Sequence, residues 1–555
     1  LVSVPRIQRS LIRVLPLLAA LCLASQLPAQ AVAGVGDDAI PLPKGGYRFL
    51  LSGLWNDYSS VYPAGGGDRT KLLTPYVTSS AGTALFPQLT AAESGIRTLS
   101  GNNAFSLSLG TLDAAGEVRQ SIAPLAIDYG VTRRVSVRLL VPYVESRDAT
   151  QLLLNRVGTG ANVGVNPAFV TTSSAQARAL NGAVVAQIDA ARTALSDEIT
   201  RCSVAAATNC DAIRANPGAA QNLLTQALAT RTAVVNVYGD ATRGGAPVVP
   251  VTGSTVQAGV VQTIDGLRTG FAAYGIGTIA NGLAPAPATT VMGPAGITRI
   301  ATDSSFGLRY TNVGNTRRAG IGDVDLTATV LLFDSFNADQ AQRLLRTTRG
   351  IRSSLTGGWR FGMAGADRTD DPFDVPIGEG ANALLLRSTT DFVWSRTAWV
   401  SATLRAVKPL SDNVAVALPF RGPSDAFVPY TVASAARSLG TRFDLEVAPR
   451  MSVGDFFGVS GALLLRHWGA DQYDAGNDES SVPGMSVLDV PSRTLRAAAI
   501  GVSFSTLASY ARGRSRFPAE IIYTHTEPLG ASGGVTPALS SERLELRVYT
   551  GFPRR

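Results

Sequence analysis

The chain has 555 residues, of which 16% are charged and 45% hydrophobic, and its formal net charge is +8. So mild a positive balance, with no dense Lys/Arg cluster and no interleaved aromatics, gives nucleic-acid binding no support. Beyond the first residues no stretch offers the roughly eighteen consecutive apolar side chains of a transmembrane helix, which leaves a soluble exported protein or a membrane barrel.

The first residues read as an export signal. Arg6, Arg9 and Arg13 stand before an apolar run from Val14 to Leu23, with no acidic residue before Asp37. The small-residue site Ala29-Gln30-Ala31 follows, so residues 1–31 are expected to be a cleaved signal peptide, with Ala33 as the alternative site. Cys22 would suit a lipoprotein, but Leu21 stands before it where a small residue is needed. The three arginines leave with the signal, lowering the net charge to +5.

Period-two alternation of apolar and polar residues then marks strands near 46–57, 118–130 and 133–146. Residues 46–146 are read as the first barrel strands. The segment 147–318 breaks the pattern: it is Ala-rich and carries three helical stretches. Leu180, Val184, Ile188, Ala191, Leu195 and Ile199 keep helical spacing behind a capping box, Ser173-x-x-Gln176. Pro217 opens a second helix running to about Thr232. Val256, Val260, Ile264, Leu267 and Phe271 form a third behind Ser254-x-x-Gln257. These stripes are expected to bury mainly against each other, as an insert that either covers the lumen or stands outside it. Within it Cys202 and Cys210, the two cysteines left after cleavage, are expected to pair as a local disulfide in an oxidising periplasm.

The remaining barrel strands are expected within 319–555, near 320–333, 352–363, 382–394, 396–409, 441–452, 455–468, 492–507, 515–528 and 541–552, for about twelve strands in all. Phe443, Leu445 and Val447 alternate with Arg442, Asp444 and Glu446; Leu544, Leu546 and Val548 alternate with Glu545 and Arg547. A soluble sandwich alternates too, but its strands usually run about five or six residues. Segments of about ten to fourteen match the length needed to cross a bilayer at a tilt. Short turns at 130–133, 394–396, 452–455 and 508–514 face long loops at 58–117, 364–381, 410–440, 469–491 and 529–540. That asymmetry belongs to outer-membrane barrels, short turns inside and long loops outside. A small periplasmic helix is expected from Ala338 to Arg346. Tyr47, Trp55, Tyr129, Tyr143, Trp394 and Trp468 fit interfacial girdles. The fold class is therefore all-β: a transmembrane antiparallel barrel of about twelve strands, with an α-helical insert on the long-loop side.

The passage from Pro124 to Tyr143, PLAIDYGVTRRVSVRLLVPY, resembles a recurrent strand–turn–strand element of the outer-membrane family named for the meta pathway of phenol degradation. GIGDVDL from Gly320, PIGEG from Pro376, and FPAE from Phe517 with its later GASGG loop are similar to that family's motifs as well. The resemblance implies a transporter-like barrel passing small hydrophobic or aromatic solutes, seated in outer-membrane lipid and inserted by the barrel-assembly machinery. The helical insert and the continuation to Pro553-Arg554-Arg555 depart from the family's pattern.

Chemistry finds little footing. His467 and His525 are the chain's two histidines; Ser460 is expected on the opposite strand face from His467, and Thr524 and Thr526 on the opposite face from His525. No nucleophile elbow, metal-spaced His pair or phosphate loop occurs, so no enzyme, cofactor or metal site is expected. The acidic loop Asp471 to Glu479 lacks Ca²⁺-loop spacing and reads as a solvated tip. The informative charges are Arg48, Arg138, Asp325, Arg387, Asp391, Arg405, Arg442, Asp444, Glu446, Arg466, Glu545 and Arg547, all expected to line the lumen, because lipid excludes them from the other face. They fit either ion-paired packing of a narrow interior or a selectivity lining. The leading reading is a channel; the second is a closed barrel that displays its insert at the cell surface.

Overall fold

The structure, a computed structural model, describes residues 39–40, 42–157, 160–277, 279–280, 282–287, 292–336, 349–366, 368–419, 427–475 and 485–551. The expected signal peptide and the helix expected from Ala338 to Arg346 lie outside the described residues.

Thirteen strands form one antiparallel sheet. They are β1 (Tyr47–Tyr58), β2 (Leu112–Gly130), β3 (Val135–Leu154), β4 (Thr316–Ile321), β5 (Val324–Asp334), β6 (Gly350–Phe361), β7 (Ala383–Val393), β8 (Ala398–Pro409), β9 (Arg442–Val453), β10 (Phe457–Trp468), β11 (Arg493–Ser505), β12 (Ala519–Gly533) and β13 (Ser540–Thr550). The last returns to the first, with Tyr47 opposite Thr550, so the sheet closes and leaves no free edge. Because β4 and β5 share one place against β3, the barrel is twelve-stranded. Tyr143 pairs with Ile321 and Leu140 with Asp325, so three residues on one side face two on the other. This is a β-bulge at Gly322–Asp323, where the Gly322 N–H donates to the Pro142 carbonyl at 2.9 Å.

The outer wall is apolar. Leu463, Leu465, Ile500, Val502 and Leu546 are exposed, while Arg442, Glu446 and Arg547, on the other face of their strands, are buried. A belt of this kind would be costly in water and suits lipid. Leu463→Arg should destabilise the barrel by about 2–4 kcal/mol. A loss of the heat-modifiable folded form on gels would check it; full tolerance would put this face in water. Tyr47, Trp55, Tyr129, Tyr143 and Trp394 are exposed, as girdle residues should be. Trp468 departs from that expectation: it shares the inward phase of β10, and the guanidinium groups of Arg466 and Arg493 lie 5.6 and 5.2 Å from its ring.

Two strands are longer than the alternation suggested. β2 begins at Leu112 rather than 118, and β3 runs to Leu154 rather than 146. Below this extension the outward side chains are Leu125, Ile127, Val137 and Leu139; at its edge and within it they include Glu117, Arg119, Glu145 and Arg147. Past the bilayer the outer face meets water and the inner face meets a core, so the apolar residues change sides.

Above the barrel mouth stand helices α1 (Thr90–Ser100), α2 (Ser174–Cys202), α3 (Pro217–Val237) and α4 (Thr255–Ala272). Ser254 accepts a hydrogen bond from the Gln257 N–H and so caps α4, whereas the Gln257 side chain accepts from the Tyr238 hydroxyl instead of closing the box. The box expected at Ser173 does not form, since its hydroxyl donates to the Pro167 carbonyl. α3 starts at Pro217, capped by the Asn216 side chain, and runs to Val237 rather than about Thr232. Leu180, expected on the first buried stripe, is exposed.

The helices share one core with more than each other. Ile188, Leu195, Val234 and Phe271 join Ile96 and Leu99 of α1, Leu112 and Val118 of β2, Leu152 and Leu154 of β3, and Phe373, Phe427 and Val535 from three further loops. The result is a dome joined to the barrel's outer rim. The Cys202 and Cys210 sulfurs are bonded, with Cα atoms 5.5 Å apart. Thiol labelling of denatured, unreduced protein should find neither cysteine free; two labelled cysteines would exclude the bond.

Candidate functional site

The side chains that alternation directs away from lipid meet inside the barrel. At the periplasmic end Asp128 of β2 lies 2.5 Å from Arg48 of β1 and 2.5 Å from Arg138 of β3. Glu545 of β13 pairs with Arg543 and Arg547 two residues to either side. Asp391 of β7 is wholly buried against Arg352 of β6 at 2.8 Å. It also accepts from the Ser401 hydroxyl at 2.7 Å and from the Ala39 N–H at 3.1 Å. The chain ahead of β1 thus reaches into the lumen from the periplasmic mouth, and Leu42 packs with Leu507 and Tyr549 there.

Midway, Arg405 of β8 lies 2.8 Å from Glu446 of β9, and Arg387 of β7 donates to the Thr356 hydroxyl at 3.3 Å. Towards the outside, Arg466 of β10 lies 3.0 Å from Asp444 of β9, and Arg360 of β6 grips Asp325 of β5 with two parallel bonds of 2.7 and 2.9 Å. Each of the twelve charges singled out in the sequence therefore lies on the inner wall. Their partners Asp128, Arg352 and Arg360 share the inward parity of their strands and could have been found by that parity.

The loop between β6 and β7 could not have been placed this way. It folds inward, because Asp323 at the bulge accepts from the Ala364, Glu379 and Gly380 N–H groups at 3.0, 2.9 and 3.3 Å. Arg318 of β4 holds Asp374 at 2.6 Å, and Arg442 of β9 holds Glu379 at 3.1 Å. Within this loop Asp371 is buried, and burial pushes its carboxyl up to about 6, with the N–H of Phe373 opposing, Asp374 adding to the rise and Arg368 opposing. An acid raised on folding favours its protonated form, so the folded loop should lose stability as pH climbs from about 4 to 6 and change little above. Hydrogen exchange across 364–380, corrected for its intrinsic pH dependence, should quicken over that range in the parent and stay flat in Asp371→Asn. Equal slopes would exclude Asp371 as the group responsible.

A cavity of about 180 Å³ opens at the periplasmic end, between Leu42, Trp399, Ile522 and Tyr549 and the guanidinium groups of Arg48, Arg450 and Arg547. The histidines contribute nothing to the lumen. His467 meets Thr494 and His525 meets Glu542, both with the outward parity of their strands, away from Ser460 and Thr524. Asp471, read from sequence as a solvated tip, is buried and accepts from the Gly440 N–H at 2.7 Å; residues 476–479 of that loop lie outside the described residues.

A closed barrel of twelve antiparallel strands, apolar outside and charged within, defines a bacterial outer-membrane barrel protein. Among solved structures, the COG4313 outer membrane channel from Pseudomonas putida F1 aligns over 93% of this chain and 99% of its own, at 9% identity and a TM-score of 0.40. The Pseudomonas putida toluene transporter TodX aligns over 92% of this chain and 90% of its own, at 9% identity and a TM-score of 0.28. A Pseudomonas aeruginosa FadL homologue aligns over 95% of this chain and 96% of its own, at 7% identity and a TM-score of 0.26. No family model and no curated protein sequence matches the chain.

Proposed function

We propose that this barrel is a channel for small hydrophobic solutes carrying a single aromatic ring, and that the helical dome is its outer lid. The observation that carries the reading is the cavity of about 180 Å³ at the periplasmic end of the lumen. A cavity of about 150 Å³ lined by Leu, Ile and Phe admits benzene, so this one has room for one ring with a polar substituent. Trp399 and Ile522 would meet the ring and the neighbouring arginines the substituent. On this reading the inward charges act as a selectivity lining, and their mutual pairing keeps them tolerable where water is scarce.

The test is conductance in a planar bilayer. Purified protein should give discrete current steps that grow when the dome is removed. Absence of steps in both proteins would favour the second reading, a closed barrel that displays its helices outside the cell.

A further inference from the structure

Arg442, like Arg318, draws its counter-charge from the inward loop and not from the wall. The wall carboxylate two residues along, Asp444, is bonded to Arg466, and the carboxylate that Arg442 holds at 3.1 Å belongs to Glu379 on the inward loop. Arg360 approaches the same carboxylate from β6, at 3.8 Å. The side chains of Arg360 and Arg442 are only 4% and 5% exposed. Yet the fit is incomplete: Arg360 Nη1 and Glu379 Oε2 are buried, and among the described residues neither finds a hydrogen-bond partner. Two buried cations from different strands therefore converge on one carboxylate, which comes from a loop and not from the wall.

We propose that Arg360 and Arg442 form a binding site for the carboxylate of a small organic acid, occupied in this structure by the channel's own Glu379. The inference rests on the channel reading and narrows its solutes to acids. An incoming carboxylate free of the loop can take the bidentate geometry that guanidinium groups favour, which Glu379 at 3.1 and 3.8 Å does not reach. Arg360 keeps Asp325 throughout, and the cost of leaving Arg442 bare is avoided, since one anion replaces another. Displacement also frees the Glu379 side chain from the wall while the Asp323 bonds keep the root of the loop in place. The solute would thus move one side chain out of its path and leave the loop itself in place.

Calorimetric titration of the detergent-solubilised protein with benzoate, and with benzyl alcohol as its uncharged counterpart, tests the proposal. In Glu379→Gln the competing anion is gone, and benzoate should bind at least tenfold more tightly than to the parent. Arg442→Gln should weaken benzoate at least tenfold. Benzyl alcohol should discriminate among none of the three. Equal benzoate affinity in the parent and Glu379→Gln, or equal binding of benzoate and benzyl alcohol, would overturn the site. If one variant fails to give the heat-modifiable folded form, the other, compared with the parent, still decides. Because binding is read without current, a barrel that binds benzoate as stated but never conducts would sink the channel reading and leave the site standing.

Discussion

Arg352→Ala should be the most damaging single substitution in the lumen, lowering stability by about 3–5 kcal/mol. Asp391 is wholly buried, and Arg352 is the cation that holds it, at 2.8 Å. The Ser401 hydroxyl, the Ala39 N–H and the nearby charge of Arg450 would remain, but none of them replaces the guanidinium that Arg352 puts against the carboxylate. Denaturant unfolding of the detergent-solubilised barrel, followed by the gel shift of the folded form, would measure the loss. The double variant Arg352→Met with Asp391→Leu should recover most of it, because replacing a whole buried pair by apolar groups is often close to neutral. A single variant as stable as the parent would mean that water reaches Asp391.

Removal of the dome should raise conductance several-fold without abolishing the barrel. Replacing residues 156–309 with a short Gly/Ser linker leaves β3 intact to Leu154 and β4 from Thr316, and no strand–strand hydrogen bond of the barrel runs through the excised residues. The shorter connection is slightly easier to close, since that cost grows slowly with length. What suffers is the rim. Ile96 and Leu99 of α1 lose the core that they share with α3 and α4, so the loop that carries α1 should become protease-sensitive. Unchanged conductance would show that the dome does not lie in the solute's path. Failure to reach the membrane-inserted form would make the dome part of the barrel's own stability.

The strands were legible because lipid imposes a strict rule on one face: any charge within the bilayer span must point inward, so Arg442, Asp444 and Glu446 next to Phe443, Leu445 and Val447 admit one orientation. The same rule misled at β2 and β3. Where the wall rises out of the membrane the rule reverses, and Glu117, Arg119, Glu145 and Arg147 turn outward in strands that continue unbroken. The meeting of Glu379 with Asp323 was missed for another reason, although each stands in a motif that carried the family resemblance, PIGEG and GIGDVDL. A loop has no period, and three N–H groups on one carboxylate join residues that neither spacing nor composition connects. The helices were found by their stripes, but their partners were not, since a stripe says that a face is buried and not against what.

Along most of the barrel each strand has to find a partner that follows it closely, separated by a turn of a few residues or a loop of modest length. The union of β3 with β4 is different: roughly 160 residues intervene, so among pairings of consecutive strands this one carries the largest loop-closure entropy, exceeded in the wall by the closing pair β1–β13 alone. Rates of folding fall as such distant contacts multiply. A dome that condenses early, with α2, α3 and α4 gathered on one core and a disulfide at the end of α2, would shorten that search by bringing Leu154 and Thr316 within reach before the sheet closes. Seen in time rather than in space, the dome is a splint for the longest gap between consecutive strands of the barrel.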